Sequence, residues 1–454
     1  MIRASRVRFV AILAVSTVLL AACGGSDGSA TSTTAKQGGT GTTAAGDGGA
    51  FAVDTSSCPD DATAPIEGTV KIGTTMPLSG GVAAAAFAPV AEGLQKYIDY
   101  ANAQDLLPGY KIELSIEDDQ FDSNKTTPAV EKLIDDTQVN LFTGMIGTAN
   151  NQAVRDLLNE ECYPQIFINS GAPAWGDVEN YPWTAGLLPP YQTETAIYVE
   201  DIQREFPDGA TAAVFHINSE FGDAYNDTFA ALAPDAGIDI LDEQTIENGE
   251  EAPPTAQVNA IASKKPDVVM AVPLGAQCPT FLTELANAKA ANPGWEPRVY
   301  ITATCASTLI LAVSGAAADG IFTIVTSVDS NDPANDAVPA VAEYKDAIKG
   351  LGFAADGDFA TAGVGWTVGE LTVEALKLAA ASPDGLTRAS IINATRSMDY
   401  HFQVARDGVN FKLDGTGDPY GLESMQVVQY DADTKTYTDV GDLVTKFEGK
   451  TELP

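Results

Sequence analysis

Residues 141–173 hold the pattern that most limits what this chain can fold into. A short run at 140–143 ends in a loop of small residues, Gly144 to Asn150. Val154, Leu157 and Leu158 then recur at helical spacing. A second apolar run at 165–168 ends in Asn169, Ser170, Gly171, Ala172 and Pro173. Strand, loop, helix, strand, loop predicts a right-handed βαβ unit, the hand in which a parallel crossover packs back onto its own sheet. Both loops then fall beyond the carboxyl ends of the strands, where open α/β sheets bind ligands. Gly, Ser, Thr and Asn at that edge let backbone N–H groups and hydroxyls approach a small polar solute. An ordinary surface connection carries the same pattern, so the rest of the chain has to decide.

The same rhythm recurs on both sides. Strands are predicted at 69–74, 110–118, 212–216, 238–245, 268–272 and 298–301. The first leads through Pro77, Leu78, Ser79 and Gly80 into an alanine-rich loop that reaches Pro89. A helix follows, with Leu94, Tyr97, Ile98 and Ala101 on one face. Further helices are read around Lys132, Leu133 and Ile134, at 254–264, and around Phe281, Leu282 and Leu285. Trp183, Pro189, Pro190 and Tyr191 mark a shift in composition at 182–193 that reads as a crossing between lobes, and the run at 320–327 reads as a second. Helices then take over. Val341, Tyr344 and Ile348 share one face, and Val364, Val368, Leu371 and Ala375 share another, on a helix that also carries Trp366 and Glu370. Residues 390–397 continue helical, and 425–430 with 435–440 read as a terminal hairpin around Asp431 and Asp433. The prediction is an α/β fold of two interleaved doubly wound lobes with a ligand cleft between them.

The ends of the chain add a compartment. Arg3, Arg6 and Arg8 precede an apolar stretch at 9–20 that is too short to span a bilayer comfortably. Leu20-Ala21-Ala22-Cys23-Gly24 follows and resembles the bacterial lipobox, which places cleavage before Cys23 and a lipid on its thiol. Residues 1–22 are thus read as a lipoprotein signal peptide and 23–65 as a flexible tether, because 24–50 is nearly all Gly, Ser, Thr and Ala. Export permits disulfides. Four cysteines remain, Cys58, Cys162, Cys278 and Cys305, and they allow three connectivities. Cys278 and Cys305 each follow a strand expected to neighbour the other's, which favours that bridge and leaves Cys58 for Cys162; four buried free thiols are the alternative. The formal charge of −37, from 62 acidic and 25 basic residues, disfavours nucleic acid and anionic membrane surfaces as partners.

Chemistry is sparse. Residues 118–129 lack the Gly and Glu that a calcium EF-hand loop requires at its sixth and twelfth positions, where Ser123 and Ala129 stand. Only His216 and His401 could serve a nucleophile as base, and neither lies in a GxSxG or Cys-His context. No phosphate-binding glycine loop or HExxH occurs. No enzyme, metal site or cofactor is expected.

Thr69-Val70-Lys71-Ile72-Gly73 with Pro77-Leu78-Ser79-Gly80, then Ile116-Glu117-Asp118-Asp119-Gln120, resembles the branched-chain amino-acid-binding proteins of ABC transporters. The resemblance continues through 144–150, Ser170-Gly171-Ala172, Phe221-Gly222 and the helix at 363–375. It implies the type I periplasmic-binding fold, a clamp that closes on a ligand and docks on a membrane permease. It further implies that Gly147, Thr148, Ser170, Gly171 and Ala172 hold a ligand carboxylate, with an aromatic at Phe221 and a polar group at Gln277 facing them. Ser79, Phe87 and Trp366 complete the expected contacts. The family usually has Tyr at Phe221 and an acid near Gln277; here 273–280 has none, and the first loop, 82–87, has no polar side chain. Glu220 and Asp223 are the remaining nearby acids.

The expectation is therefore a monomeric, lipid-anchored extracytoplasmic receptor that delivers an amino acid, an amide or a small carboxylate to an ABC permease. A ligand sensor and a secreted hydrolase are the alternatives. Residues 66–189 and 327–417 are assigned to one lobe, and 190–326 with the hairpin of 418–454 to the other.

Overall fold

A computed structural model describes residues 51–450. The predicted signal peptide, Cys23 and the first part of the tether lie outside the described residues. Residues 51–65, expected in the tether, are held against the body. Cys58 is bridged to Cys162, the Val53 N–H donates to Asn393 Oδ1 at 2.8 Å, and the Ile66 N–H donates to the Leu386 carbonyl at 2.8 Å. The second bridge joins Cys278 to Cys305, so the connectivity is the one that strand adjacency favours.

The first βα series comprises β1 (Thr69–Met76), α1 (Gly81–Ala103), β2 (Lys111–Asp118), α2 (Ser123–Lys132), β3 (Leu141–Thr143), α3 (Thr148–Glu160), β4 (Gln165–Ile168) and β5 (Thr184–Gly186). Its strands form a five-stranded parallel sheet in the order β2-β1-β3-β4-β5. Two expectations change here. The alanine-rich stretch is no loop: α1 starts at Gly81 and runs through Pro89. Alanine is the strongest helix former, and Val90, Ala91 and Leu94 bury the face that fixes the helix on the sheet. The predicted crossing at 182–193 contains β5 before the chain leaves, and Thr184, Ala185 and Gly186 are all buried.

The second series comprises α4 (Tyr191–Glu205), β6 (Ala210–Asn218), α5 (Glu220–Leu232), β7 (Ile238–Glu247), α6 (Thr255–Lys264), β8 (Val268–Val272), α7 (Gln277–Ala291), β9 (Arg298–Ile301), α8 (Thr308–Val313) and β10 (Phe322–Val325). Next come α9 (Pro339–Gly350), α10 (Phe359–Ala380), α11 (Arg388–Thr395), β11 (Asp399–Tyr400), β12 (Phe411–Lys412), β13 (Gln426–Asp431) and β14 (Thr436–Asp439). The second sheet has seven strands, β14-β13-β10-β9-β8-β6-β7, parallel except where β13 and β14 join antiparallel. β8 is buried at all five positions, as a central parallel strand must be.

Interleaving shows in the two larger cores. One joins Val70, Ile72 and Leu94 of the first series to Leu371, Leu376, Ile391 and Phe411 of the later helices. The other joins Phe215, Met270 and Tyr300 to Val427 and Tyr430 of the terminal hairpin. Among the described residues, no helix is long and apolar enough to cross a membrane.

Candidate functional site

A cavity of about 1010 Å³ opens where the two sheets face each other with their carboxyl ends. One wall follows α1, β3 and β4, and carries Phe87, Phe121, Ile146, Gly147, Thr148 and Asn169. The other follows β6, β8 and β9, and carries Phe221, Tyr225, Leu274, Ala303 and Thr304, with Tyr191 and Glu194 from α4. The crossing segments 324–330 and 403–407 form its back.

The two loops singled out by sequence lie side by side. Ile146 bridges Asn169 in parallel, and the Asn169 N–H donates to the Met145 carbonyl at 3.0 Å. Gly147 caps α3 with φ at +102°, and a Cβ there would stand 2.5 Å from Asn150 Oδ1, so the turn requires glycine. Thr148 opens α3, whose free N–H groups and dipole make its start attractive to a negative or acceptor group. Behind Thr148 sits Ser170, fully buried, with the two hydroxyl oxygens 2.8 Å apart. Gly171 and Ala172 lie behind as well; a Cβ on Gly171 would stand 2.0 Å from the Pro189 carbonyl oxygen. Thus Gly147, Thr148, Phe87 and Phe221 line the cavity, whereas Ser170, Gly171 and Ala172 support it.

Three expected contacts lie elsewhere. Ser79 is exposed and donates to Asp118. Gln277 spends its side chain on backbone, accepting from the Leu274 N–H at 3.4 Å and donating to the Glu250 carbonyl at 2.9 Å, which shapes the loop that presents Leu274. Trp366 is buried in an aromatic core with Tyr97, Tyr100 and Tyr344, and reaches the cleft only through Gln403, to which its indole donates at 3.0 Å. Its helical face was legible, but the depth of α10 was not.

The acid missing from 273–280 is supplied by α4. Glu194 is almost fully buried yet borders the cavity. Its carboxyl contacts the Tyr225 hydroxyl at 2.7 Å, the Tyr198 hydroxyl at 2.8 Å and the Ala303 N–H at 2.8 Å. The Tyr198 hydroxyl also lies 3.0 Å from the Ile301 carbonyl, which can only accept. The Tyr198 proton thus has two acceptors, Glu194 Oε1 at 2.8 Å and the Ile301 carbonyl at 3.0 Å. Burial pushes Glu194 up to about 7, consistent with a neutral acid. Tyr191 stacks on Tyr225 with centroids 4.7 Å apart and meets Phe221 edge-on at 5.2 Å, so the acid lies under an aromatic wall. The signal that could have found it is a Glu directly before the run Thr195-Ala196-Ile197-Tyr198-Val199, one helical turn after Tyr191.

A raised acid in the fold works against stability as pH rises. Unfolded Glu194 ionises near 4.5, so between there and about 7 the native state holds a proton that the unfolded chain has lost. Stability should fall across that window, by roughly 3 kcal/mol for this group alone. Glu194→Gln should flatten the dependence of the urea midpoint on pH between 5 and 8. An unchanged slope in the variant would mean that Glu194 is ionised throughout.

Two α/β sheets that close one cleft with their carboxyl ends define the type I periplasmic-binding architecture. Residues 69–435 match the family model described as periplasmic binding protein, and the chain belongs to that family, one of binding proteins rather than enzymes. Among solved structures, a branched-chain amino-acid ABC transporter protein from Thermus thermophilus with bound valine aligns with TM-score 0.72 at 20% identity, covering 84% of this chain and 97% of that one. A fatty acid ABC transporter substrate-binding protein from Thermomonospora curvata gives 0.70 at 18%, covering 84% and 95%. A solute-binding protein from R. palustris in complex with benzoate gives 0.68 at 19%, covering 82% and 96%. No curated protein matches the chain in sequence.

Proposed function

We propose that this chain is an extracytoplasmic solute-binding protein that captures a small ligand with an apolar body and an acceptor end, and presents it to the permease of an ABC importer. The observation that carries the reading is the cavity of about 1010 Å³ between the sheets, apolar along its aromatic wall and met at one side by Gly147 and Thr148 at the start of α3. Burial pushes Glu194 up to about 7, so it takes up a proton readily and does not demand an ammonium partner; aliphatic and aromatic carboxylates and amides fit as well as amino acids. The valine, fatty acid and benzoate in the names of the three aligned proteins span that range. Phe87, Gly147, Thr148 and Phe221, with Tyr191 and Tyr225, are the contacts proposed for the closed form. In this reading the lobes are 66–189 with 327–417 and 190–326 with 418–454, each with its own core, and a lipid on Cys23 tethers the monomer to the cell membrane.

A thermal-shift screen of amino acids, amides and carboxylates tests it. A ligand at a hundred times its Kd adds about 2.7 kcal/mol to the native state. Ala303→Trp, which puts an indole into the cleft from a half-buried position, should abolish the shift while the ligand-free protein still melts cooperatively. A screen in which nothing moves the melting point, or an Ala303→Trp variant that responds like the parent, would remove the cleft from the function.

A further inference from the structure

Outside the lining of the cleft, two acids are buried with no salt-bridge partner among the described residues. Asp418 closes the loop Asp414-Gly415-Thr416-Gly417-Asp418 after β12, with the Asp414 N–H donating to its carbonyl at 3.0 Å. Asp418 is 4% exposed and Glu423 1%. Both carboxylate oxygens of Asp418, and Oε1 of Glu423, find no hydrogen-bond donor among the described residues. The two side chains converge on one turn: the Gly449 N–H donates to Glu423 Oε2 at 2.7 Å, and the side of Gly449 where a Cβ would stand faces Asp418 Oδ2. Glu448, which accepts from Ser424 Oγ at 3.0 Å, and Asp414 add negative charge nearby, and Lys412 is the basic group that faces them. Burial, with Glu448 nearby, pushes Asp418 up to about 6, and burial, with Asp418 nearby, pushes Glu423 up to about 8.

Three buried carboxylate oxygens without donors, two on Asp418 and one on Glu423, cannot all stay bare, because a buried anion without a partner costs several kcal/mol. We infer that Asp418 and Glu423 form a calcium site that clasps the C-terminal turn to the loop after β12. The donors are all oxygen, which selects a hard cation over zinc or copper. Asp418 offers two oxygens and Glu423 one; no third His, Cys, Asp or Glu joins them among the described residues. Backbone carbonyls and water make up the rest of the about six to eight ligands that calcium takes. The bound ion neutralises both charges at once, which one shared proton cannot do.

The experiment uses the full chain, stripped with EDTA and dialysed at pH 9, above the values of both acids. Calcium should raise the melting temperature saturably, with one site per chain by calorimetry, and magnesium at matched ionic strength should not reproduce the effect. The double variant Asp418→Asn, Glu423→Gln should lose the response while keeping whatever general screening the acidic surface gives. Without calcium it should melt at or above stripped wild type, since it carries no buried repulsion. If the variant does not fold, calorimetry on stripped wild type still decides. No binding heat up to about 10 mM calcium, beyond the weakest extracellular sites, overturns the inference. So does an equal shift in wild type and variant. A stripped wild type whose melting point ignores calcium and falls only with rising pH overturns it in favour of a shared proton.

Discussion

Gly365→Leu should leave no cooperatively folded protein, and Gly365→Ala should lower the urea midpoint measurably. Helices α1 and α10 touch backbone to backbone. A Cβ on Gly365 would stand 1.9 Å from the Val90 carbonyl oxygen and 2.7 Å from the Leu94 nitrogen. The contact is reciprocal, because a Cβ on Gly93 would stand 2.0 Å from the Ala362 carbonyl oxygen. Ordinary overpacking costs about 1–3 kcal/mol because side chains can shift. Here the obstacle is main chain inside two long helices, so the cost of even one methyl lies at or above the top of that range. Separating the helices would also unpack Leu94 and Leu371 from the five-stranded sheet's core. An alanine variant with the parent's midpoint would show that the helices slide apart freely.

The second large effect is expected at Arg396. This side chain is fully buried and has no carboxylate partner among the described residues. Its guanidinium donates to the carbonyls of Pro182 at 2.9 Å, Tyr181 at 3.4 Å and Thr184. Phe51 lies over its face with the ring centroid 5.5 Å away. Burial lowers its pKa to about 9, so it stays charged at neutral pH. The charge is dispersed over peptide dipoles where the chain enters the edge strand β5; of these, the Tyr181 carbonyl also accepts the Thr184 N–H at 3.2 Å. Arg396→Met should weaken the bonding of the Pro182 and Thr184 carbonyls at about 1–3 kcal/mol each, and denaturation should report a loss of roughly 3–5 kcal/mol. The extra exposure should appear first as proteolysis near Pro182. A variant as stable as the parent would mean that the cost of burying the guanidinium cancels its bonds.

These two positions show what the sequence could and could not convey. Alternation and helical spacing located β2, β4, β8, β9 and the face of α10, because each element has one apolar side or none exposed. The paired cysteines followed from strand order. What escaped reading depends on depth. Helix α4 is buried through Thr193, Glu194, Thr195 and Asp201 as well as its apolar residues, so no apolar stripe stands out. β5 has three small residues and no alternation to detect. In the site, Gly147 and Thr148 were legible because a loop of small residues before a helix has a physical signature. Ser170 shares the small-residue loop signature and Trp366 was expected from the resemblance, yet both lie one layer back. That layer is set by Tyr191 and Gln403, which arrive from distant parts of the chain.

The hydroxyl pair of Thr148 and Ser170 carries one more consequence. Ser170 Oγ receives the Ala172 N–H at 3.2 Å and lies 3.5 Å from the Tyr191 hydroxyl, at the limit of a bond. Either hydroxyl of the pair can donate, and the Ala172 N–H on Ser170 Oγ favours Ser170 as the donor and Thr148 as the acceptor. The Thr148 proton is then released toward the cavity. The order of protons therefore runs outward from the protein, and the cleft meets its guest as a giver of hydrogen at this point. A ligand that brings only a donor here would have to reverse the whole relay, so the polarity of the site is written two residues behind its surface.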